Sequence, residues 1–98
     1  MQASFTIKSS HPSLKGHFPG NPVVPGVVIL DEIINIIKLA KPGFTVDAIP
    51  MVKFTQPLLP GQQVLVELVE KDKTSINFNC THNETRLATG QLSLKSKQ

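Results

Sequence analysis

The chain has 98 residues, of which 40% are hydrophobic and 17% are charged, and its formal net charge at pH 7 is +3. This is the length of one domain, over residues 1–98, and a core of this size is small, so we expect the chain to oligomerise. Its ten basic residues are spread along the chain, which suits an acidic protein partner and argues against nucleic acid, since nucleic acid usually requires a denser basic patch with stacking aromatics.

The first predicted elements are a strand and a long helix. Small or apolar residues alternate with polar residues over Ala3–Lys8, which is the pattern of a half-buried strand. The β-branched residues of Val27–Ala40 favour a strand by propensity, but Asp31, Asn35 and Lys38 recur at helical spacing. We therefore predict a helix with one polar stripe on an otherwise apolar cylinder.

Proline and glycine mark both ends of this helix. Pro25 suits the first turn, and Pro42-Gly43 ends the segment. A helix that is apolar on most sides is normally buried, so we expect other elements of the chain to wrap around it.

The second half of the chain has the pattern of strands separated by turns. The strand patterns cover Ala48–Gln56, Gln63–Lys71, Ser75–Thr81 and Arg86–Lys95. Turn-forming residues lie between them, at 57–61, 71–73 and 82–84. One long helix followed by an antiparallel meander predicts an α+β domain in which the sheet curls around the helix.

Residues 16–31, GHFPGNPVVPGVVILD, carry a candidate acid–base pair. His17 lies in a loop stiffened by proline and glycine, and Asp31 lies on the helix that follows. A histidine can accept a proton near neutral pH, and a carboxyl group can donate one. Two structural alternatives stay open: His17 as a hydrogen-bonded loop residue, and Asp31 as an ionised carboxylate stabilised near the start of the helix.

This stretch closely resembles the signature of the 3-hydroxyacyl-[acyl-carrier-protein] dehydratases of the hot-dog fold. In that family His-Phe-Pro-Gly-x-Pro, then Pro-Gly, then an apolar run ending in Glu or Asp frame the active site. A second segment, KFTQPLLPGQ at residues 53–62, resembles a strand and turn of the same family. The resemblance implies an α+β hot-dog fold, with an antiparallel sheet wrapped around one long central helix.

The resemblance also implies a role for particular residues. His17 matches the catalytic base, Asp31 matches the acid or water-orienting carboxyl group, and the Gly26 backbone N–H matches the donor to the thioester carbonyl. The family holds its acyl chain in an apolar tunnel beside the central helix. The residues that we expect to contact the substrate here are Phe18, Pro25, Val27, Val28, Leu30, Ile33 and Ile34.

The activity implied by the resemblance is removal of water from a 3-hydroxyacyl thioester to give the trans-2-enoyl product, in fatty-acid or related polyene or lipid biosynthesis. No cofactor is expected. The implied partners are an acyl carrier protein and a second subunit, because in the family the two catalytic groups of one site come from different subunits. That second subunit is expected to be another copy of this chain, in a dimer or a higher oligomer, or a longer dehydratase in a heterodimer.

Two alternatives from other functional classes remain open. Hot-dog thioesterases also use a carboxylate on this helix, but they cleave the thioester with water and need no histidine in the loop. The chain can also be a non-catalytic or half-site subunit of a heterodimer, similar to subunits of aryl-polyene pathways.

Other reactive side chains are weaker candidates. Glu32 neighbours Asp31 but points about 100° away around the helix, so only one of the two can face His17. His11 lies in a polar loop and His82 in a predicted turn. Cys80 and His82 together fall short of the four ligands that a structural metal site usually has, so no metal site is expected.

The sequence also bears on location. A single cysteine, Cys80, forms no internal disulfide, and the first residues lack the pattern of a secretion signal, so we expect a cytoplasmic protein. The longest apolar run, at residues 23–30, is much shorter than the roughly 20 residues that cross a bilayer, so no membrane span is expected.

Overall fold

The computed structural model describes residues 1–11 and 23–97, and these residues form one helix and five strands. In chain order the elements are β1 (Gln2–Thr6), α1 (Gly26–Ala40), β2 (Phe44–Phe54), β3 (Gln63–Asp72), β4 (Ser75–His82) and β5 (Thr85–Ser96). The helix and all five strands lie where the periodicity of the sequence predicts them, with shifts at some ends.

The largest shift concerns β2, which begins four residues earlier than predicted and ends two residues earlier. Phe44 pairs with Ser96 of β5, so the ladder reaches back to the end of the helix. At the other end the backbone N–H groups of Thr55 and Gln56 both donate to the Leu87 carbonyl, at 2.9 and 3.4 Å. Two donors that share one acceptor leave the regular ladder, and β2 therefore ends at Phe54.

The sheet is antiparallel, and its strand order is β1-β3-β4-β5-β2. The predicted meander holds for β3, β4 and β5, but β2 pairs with β5 rather than with the strand that follows it in the chain. Residues 55–62 connect β2 to β3 across the end of the sheet. As a result β1 and β2 are the two edge strands.

The core lies between one face of the sheet and one face of α1. The helix buries Val28, Ile29, Ile33 and Ile37, and alternate residues are buried in the first half of β3 (Val64, Val66, Leu68) and in β4 (Ile76, Phe78, Cys80). The polar stripe of the helix is exposed in the single chain, and so are Val27 (64%) and Leu39 (86%). The sheet therefore packs against one side of the helix, and the other side faces away from the sheet.

The end of the helix is tied to the sheet by Lys41, and the last two strands are joined by a tight turn. Lys41 follows the helix, and its Nζ lies 2.7 Å from Glu70 Oε1 on β3 and 5.0 Å from the centre of the Phe44 ring. The β4–β5 turn has positive φ at both Asn83 (47°) and Glu84 (69°), which is the geometry of the tight turns preferred between antiparallel strands.

Candidate functional site

A cleft of about 410 Å³ opens at the N-terminal end of α1. One wall comes from the residues before the helix and from its first turns, and the opposite wall comes from the end of β2 and the segment that follows. Its lining residues are Val23, Val24, Gly26, Ile29, Phe54, Thr55, Gln56, Pro57 and Leu58. Most of these side chains are apolar, so the cleft suits an apolar ligand with few polar groups.

Two hydrogen bonds fix the walls of this cleft, one between backbones and one from a side-chain hydroxyl. The Val24 N–H donates to the Leu58 carbonyl at 2.8 Å, and both side chains are buried. The Thr55 hydroxyl donates to the Arg86 carbonyl at 2.8 Å, which fixes the end of β2 to β5. Segments far apart in the chain are therefore fixed relative to each other at the start of the helix.

Gly26 is the first residue of α1 and lies against the ring of Phe54. A Cβ placed on Gly26 would lie 2.7 Å from Phe54 Cζ and 2.9 Å from Cε2, which is closer than real carbon contacts. Pro25 is the N-cap residue and has no side-chain hydrogen bond to the helix. The first N–H groups of a helix carry partial positive charge, so an oxygen with developing negative charge is favoured at this end of the cleft.

The predicted acid–base pair is only partly within the described residues. His17 and Phe18 lie outside them. Asp31 is exposed on α1 and is not part of the cleft lining, whereas its neighbour Glu32 is half-buried. The structure thus assigns Asp31 to the solvent-facing stripe of the helix.

The other residues predicted to contact substrate have different environments. Val28 and Ile33 are buried in the core, whereas Pro25, Leu30 and Ile34 are half-buried and Val27 is exposed. Of the predicted site residues, Gly26 lines the cleft. Their contact with substrate stays a prediction.

Phe54 and Leu58 are among the cleft-lining residues for which no site role is predicted from the sequence. Both belong to the 53–62 segment, which resembles the family but does not by itself indicate that it lies beside the start of the helix. Its spacing of phenylalanine, proline and glycine was the available signal. Only the pairing of β2 with β5 brings this segment beside Val24 and Gly26.

The weaker candidates His82, Cys80 and His11 make contacts that are typical of structural residues. His82 Nδ1 lies 2.7 Å from the Gln63 carbonyl and Nε2 lies 3.3 Å from Asn83 Nδ2, so a neutral ring with the proton on Nδ1 satisfies both contacts. Cys80 is fully buried, and burial raises the pKa of its thiol to about 12. The backbone N–H of His11 donates to the Lys8 carbonyl at 2.9 Å.

The described part of the chain has neither a cluster of metal ligands nor a helix that could span a membrane. No three His, Cys, Asp or Glu side chains within residues 1–11 and 23–97 lie together as metal ligands. In the same residues, no helix has the length and apolar character needed to span a bilayer.

Comparison with known proteins identifies the relatives of this chain. The family model described as ApeI-like, ApeI dehydratase, matches residues 1–91. A 3-hydroxyacyl-[acyl-carrier-protein] dehydratase FabZ of Ehrlichia chaffeensis is 32% identical over an alignment of 102 positions, which covers 94% of this chain and 71% of that protein. A FabZ of Symbiobacterium thermophilum is 32% identical over 71 residues, and the match spans 63% of this chain and about half (49%) of that protein.

Comparison with solved structures also finds a dehydratase. The solved dehydratase heterocomplex ApeI:P from Xenorhabdus doucetiae contains a chain that superimposes with a TM-score of 0.84 at 26% identity, covering 95% of this chain and 84% of that one. The predicted α+β hot-dog fold is confirmed by this similarity and by the observed sheet and helix.

Proposed function

Because the chain belongs to the ApeI-like dehydratase family, we propose that it removes water from a 3-hydroxyacyl thioester carried on an acyl carrier protein and releases the trans-2-enoyl thioester. One observation carries the proposal: the signature at residues 16–31 runs into the helix whose first residue, Gly26, lines an apolar cleft. Such a cleft suits an acyl group, and the helix start suits its thioester oxygen.

The proposed reaction moves two protons. His17 removes a proton from the α-carbon, and the negative charge that develops on the thioester oxygen is stabilised by the Gly26 N–H and the positive end of the helix. Asp31 donates a proton to the 3-hydroxyl group, directly or through a water molecule. The C–O bond then breaks, water leaves, and the electron pair of the former C–H bond forms the new double bond.

The position of Asp31 supports a site that a second subunit completes. In the single chain this carboxylate faces solvent rather than the cleft of its own chain. In the proposed arrangement His17 of one subunit faces Asp31 of the other, so each dimer has two equivalent sites. The acyl chain then runs beside α1, where we expect Phe18, Pro25, Val27, Val28, Leu30, Ile33 and Ile34 to contact it.

Exposed apolar side chains support the same dimer. Ile49 and Met51 are exposed on the edge strand β2, and Val27 is exposed on the first turn of α1. Apolar surface along an unpaired strand edge is normally covered in the working protein. A second copy of this chain is the proposed partner. A longer dehydratase subunit is the alternative, because the ApeI of Xenorhabdus doucetiae occurs in a heterocomplex.

A time course with a 3-hydroxyacyl chain on carrier protein tests the proposal. Enoyl absorbance that grows without free thiol supports a dehydratase, whereas free thiol indicates a thioesterase and contradicts the proposal. His17→Ala and Asp31→Asn should each lower kcat by about 100-fold or more, the usual contribution of a general acid or base. Glu32→Gln is the matched control and should keep most of the activity, because this side chain points to a different side of the helix.

The native mass and the activity, both measured for the chain alone and with a longer dehydratase subunit, separate an active subunit from a half-site subunit. A chain that is inactive alone but active with a longer dehydratase subunit supports the heterodimer. If it is inactive in both forms, the chain is not an enzyme of this kind. The panel of substrates should vary in acyl length and include the same chains on coenzyme A, so that the preferred carrier is measured as well.

A further inference from the structure

The ring of Phe54 lies between the cleft and the first turn of α1. Phe54 pairs with Ala88 of β5, which is fully buried, so its side chain is on the helix side of the sheet. The tip of the ring contacts Gly26, and 45% of the residue is nevertheless exposed. The exposed part of the ring contributes to the cleft lining.

Phe54 is more accessible than three of the apolar residues around it. Val24, Ile29 and Leu58 also line the cleft, but each is at most 4% exposed because the rest of its side chain is packed in the core. The apolar lining that a ligand can reach therefore consists of the Phe54 ring with the half-buried Val23 and the exposed Pro57, and of these only Phe54 contacts Gly26. The ring cannot move toward the helix, because Gly26 is already in close contact with it.

This contact puts the ring beside the reacting end of a bound acyl group. In the proposed function the thioester oxygen accepts a hydrogen bond from the Gly26 N–H, at about 2.9 Å. The α-carbon is two covalent bonds from that oxygen. A substituent on the α-carbon must therefore occupy the space next to Gly26, and Phe54 already fills part of that space.

We propose that Phe54 sets the size of the group accepted on the α-carbon, so that the cleft takes thioesters with an unbranched α-carbon and rejects those with a methyl branch there. Phe54 is in this view a specificity-determining residue. The inference rests on the proposed function for the orientation of the thioester, but it concerns the shape of the cleft and can be measured by binding alone.

The test uses two ligands that cannot react. They are the butyryl and 2-methylbutyryl derivatives of pantetheine, with an amide in place of the thioester. Their Kd values are measured with the purified full-length wild-type protein and with Phe54→Leu, Phe54→Ala and Phe44→Leu. Phe44 is the matched control, because it is a half-buried phenylalanine of the same strand but lies at the other end, near Lys41. Circular dichroism and thermal melting show which variants are folded.

The wild-type protein should bind the branched ligand about tenfold or more weakly than the unbranched one, the usual effect of one methyl group that does not fit. Phe54→Leu and Phe54→Ala should bring this ratio toward one, and Phe44→Leu should leave it as in the wild type. The inference is overturned if wild type binds neither ligand, if it binds both equally, or if both folded Phe54 variants keep the wild-type ratio.

A dehydration assay with 3-hydroxybutyryl and 2-methyl-3-hydroxybutyryl thioesters then separates this inference from the proposed function. If neither ester is dehydrated while the binding ratio still depends on residue 54, the dehydratase proposal fails and the assignment of Phe54 stands. If the unbranched ester is dehydrated while the binding ratio is insensitive to residue 54, the dehydratase proposal stands and the assignment of Phe54 fails.

Discussion

The ring of Phe78 occupies the space that a side chain on Gly90 would need. The two residues pair across β4 and β5, and a Cβ on Gly90 would lie 2.6 Å from Phe78 Cε2 and 2.5 Å from the Met51 carbonyl oxygen of β2. Glycine at this position lets a buried aromatic ring lie close to the backbone of β5, which pairs with both β4 and β2.

Gly90→Ala should therefore destabilise the protein, by about 2 kcal/mol, which is the usual cost of inserting a methyl group into a packed core. The measurement is urea unfolding at fixed protein concentration. Gly43→Ala is the matched control, since no atom lies within 4 Å of the position its Cβ would occupy, and its stability should change by less than about 1 kcal/mol. Equal stability of Gly90→Ala and wild type would contradict the packing described.

Gly26→Ala should also destabilise the protein, because the new methyl group would overlap the Phe54 ring. This loss should be smaller in a Phe54→Leu background, where the shorter side chain leaves room for the methyl group. A double-mutant cycle measured by urea unfolding should give a coupling free energy of about 1 kcal/mol. Additive effects of the two changes would show that the contact does not limit residue 26.

The β3–β4 turn should make stability depend on pH in the acid range. The Thr74 backbone N–H, followed by its hydroxyl, donates to Asp72 and holds the pKa of that carboxyl below its usual value. A lowered folded-state pKa stabilises the protein at pH values above the unfolded pKa of about 3.9, and this stabilisation is lost as pH falls through the folded value.

Asp72→Ala should consequently destabilise the protein more at pH 6 than at pH 2.5. Thr74→Val is the control, since it removes the hydroxyl but keeps the backbone N–H, which is the larger cause. The Thr74→Val variant should retain most of the difference in unfolding free energy that the wild type shows between pH 6 and pH 2.5. Unfolding free energies that show the same effect of Asp72→Ala at both pH values would contradict this role of the turn.

Mixed dimers test whether the proposed site is shared between subunits. His17→Ala and Asp31→Asn should each be folded and nearly inactive. In a mixed dimer one site carries both changes and the other carries neither, so random subunit exchange should restore about a quarter of wild-type activity. Exchange must be verified by native mass spectrometry. Absence of restoration after verified exchange would mean that both groups act within one chain or that a different carboxylate is the acid.

Carrier-protein binding should depend on nearby lysines and on salt. Lys53 precedes Phe54 at the cleft, whereas Lys38 lies twelve residues along the helix from Gly26, roughly 18 Å away. Lys53→Glu should therefore slow association with an acidic carrier protein more than Lys38→Glu, and Lys73→Glu in the β3–β4 turn is the control. Lys15→Glu completes the set, although residue 15 lies outside the described residues. If the association rate is unchanged by all of these substitutions and by salt concentration, electrostatic steering is excluded.

Some features of this molecule could be predicted from the order of residues, and others could not. The spacing of Asp31, Asn35 and Lys38 predicts the helix and its polar stripe, because these residues are neighbours along one element. The alternation around Phe78 predicts β4 for the same reason. Periodicity does not indicate which strands pair, so β2 was expected beside β3 although it joins β5.

The cleft depends on contacts that cross the whole chain. Val24 and Leu58 are 34 positions apart, and a hydrogen bond between their backbones joins the two walls. The resemblance indicated a role for Gly26 but not for the Phe54 ring that lies against it. A sequence motif shows which residues are shared with the family, but it does not show which of them are in contact. The acid–base pair is a similar case: Asp31 is exposed on the helix, and in the proposed site its contact with His17 is made between two subunits.

The burial of Cys80 has a practical consequence for enzymology. It is the only cysteine in the chain, and its thiol, with a pKa of about 12, is protonated at any ordinary assay pH. Chromogenic disulfide reagents react with accessible thiolates, so they should give no signal with the folded protein. The colour that develops in a stopped or continuous assay then reports only pantetheine thiol set free from substrate. Hydrolysis of the thioester can thus be quantified at high enzyme concentration without a cysteine-free variant.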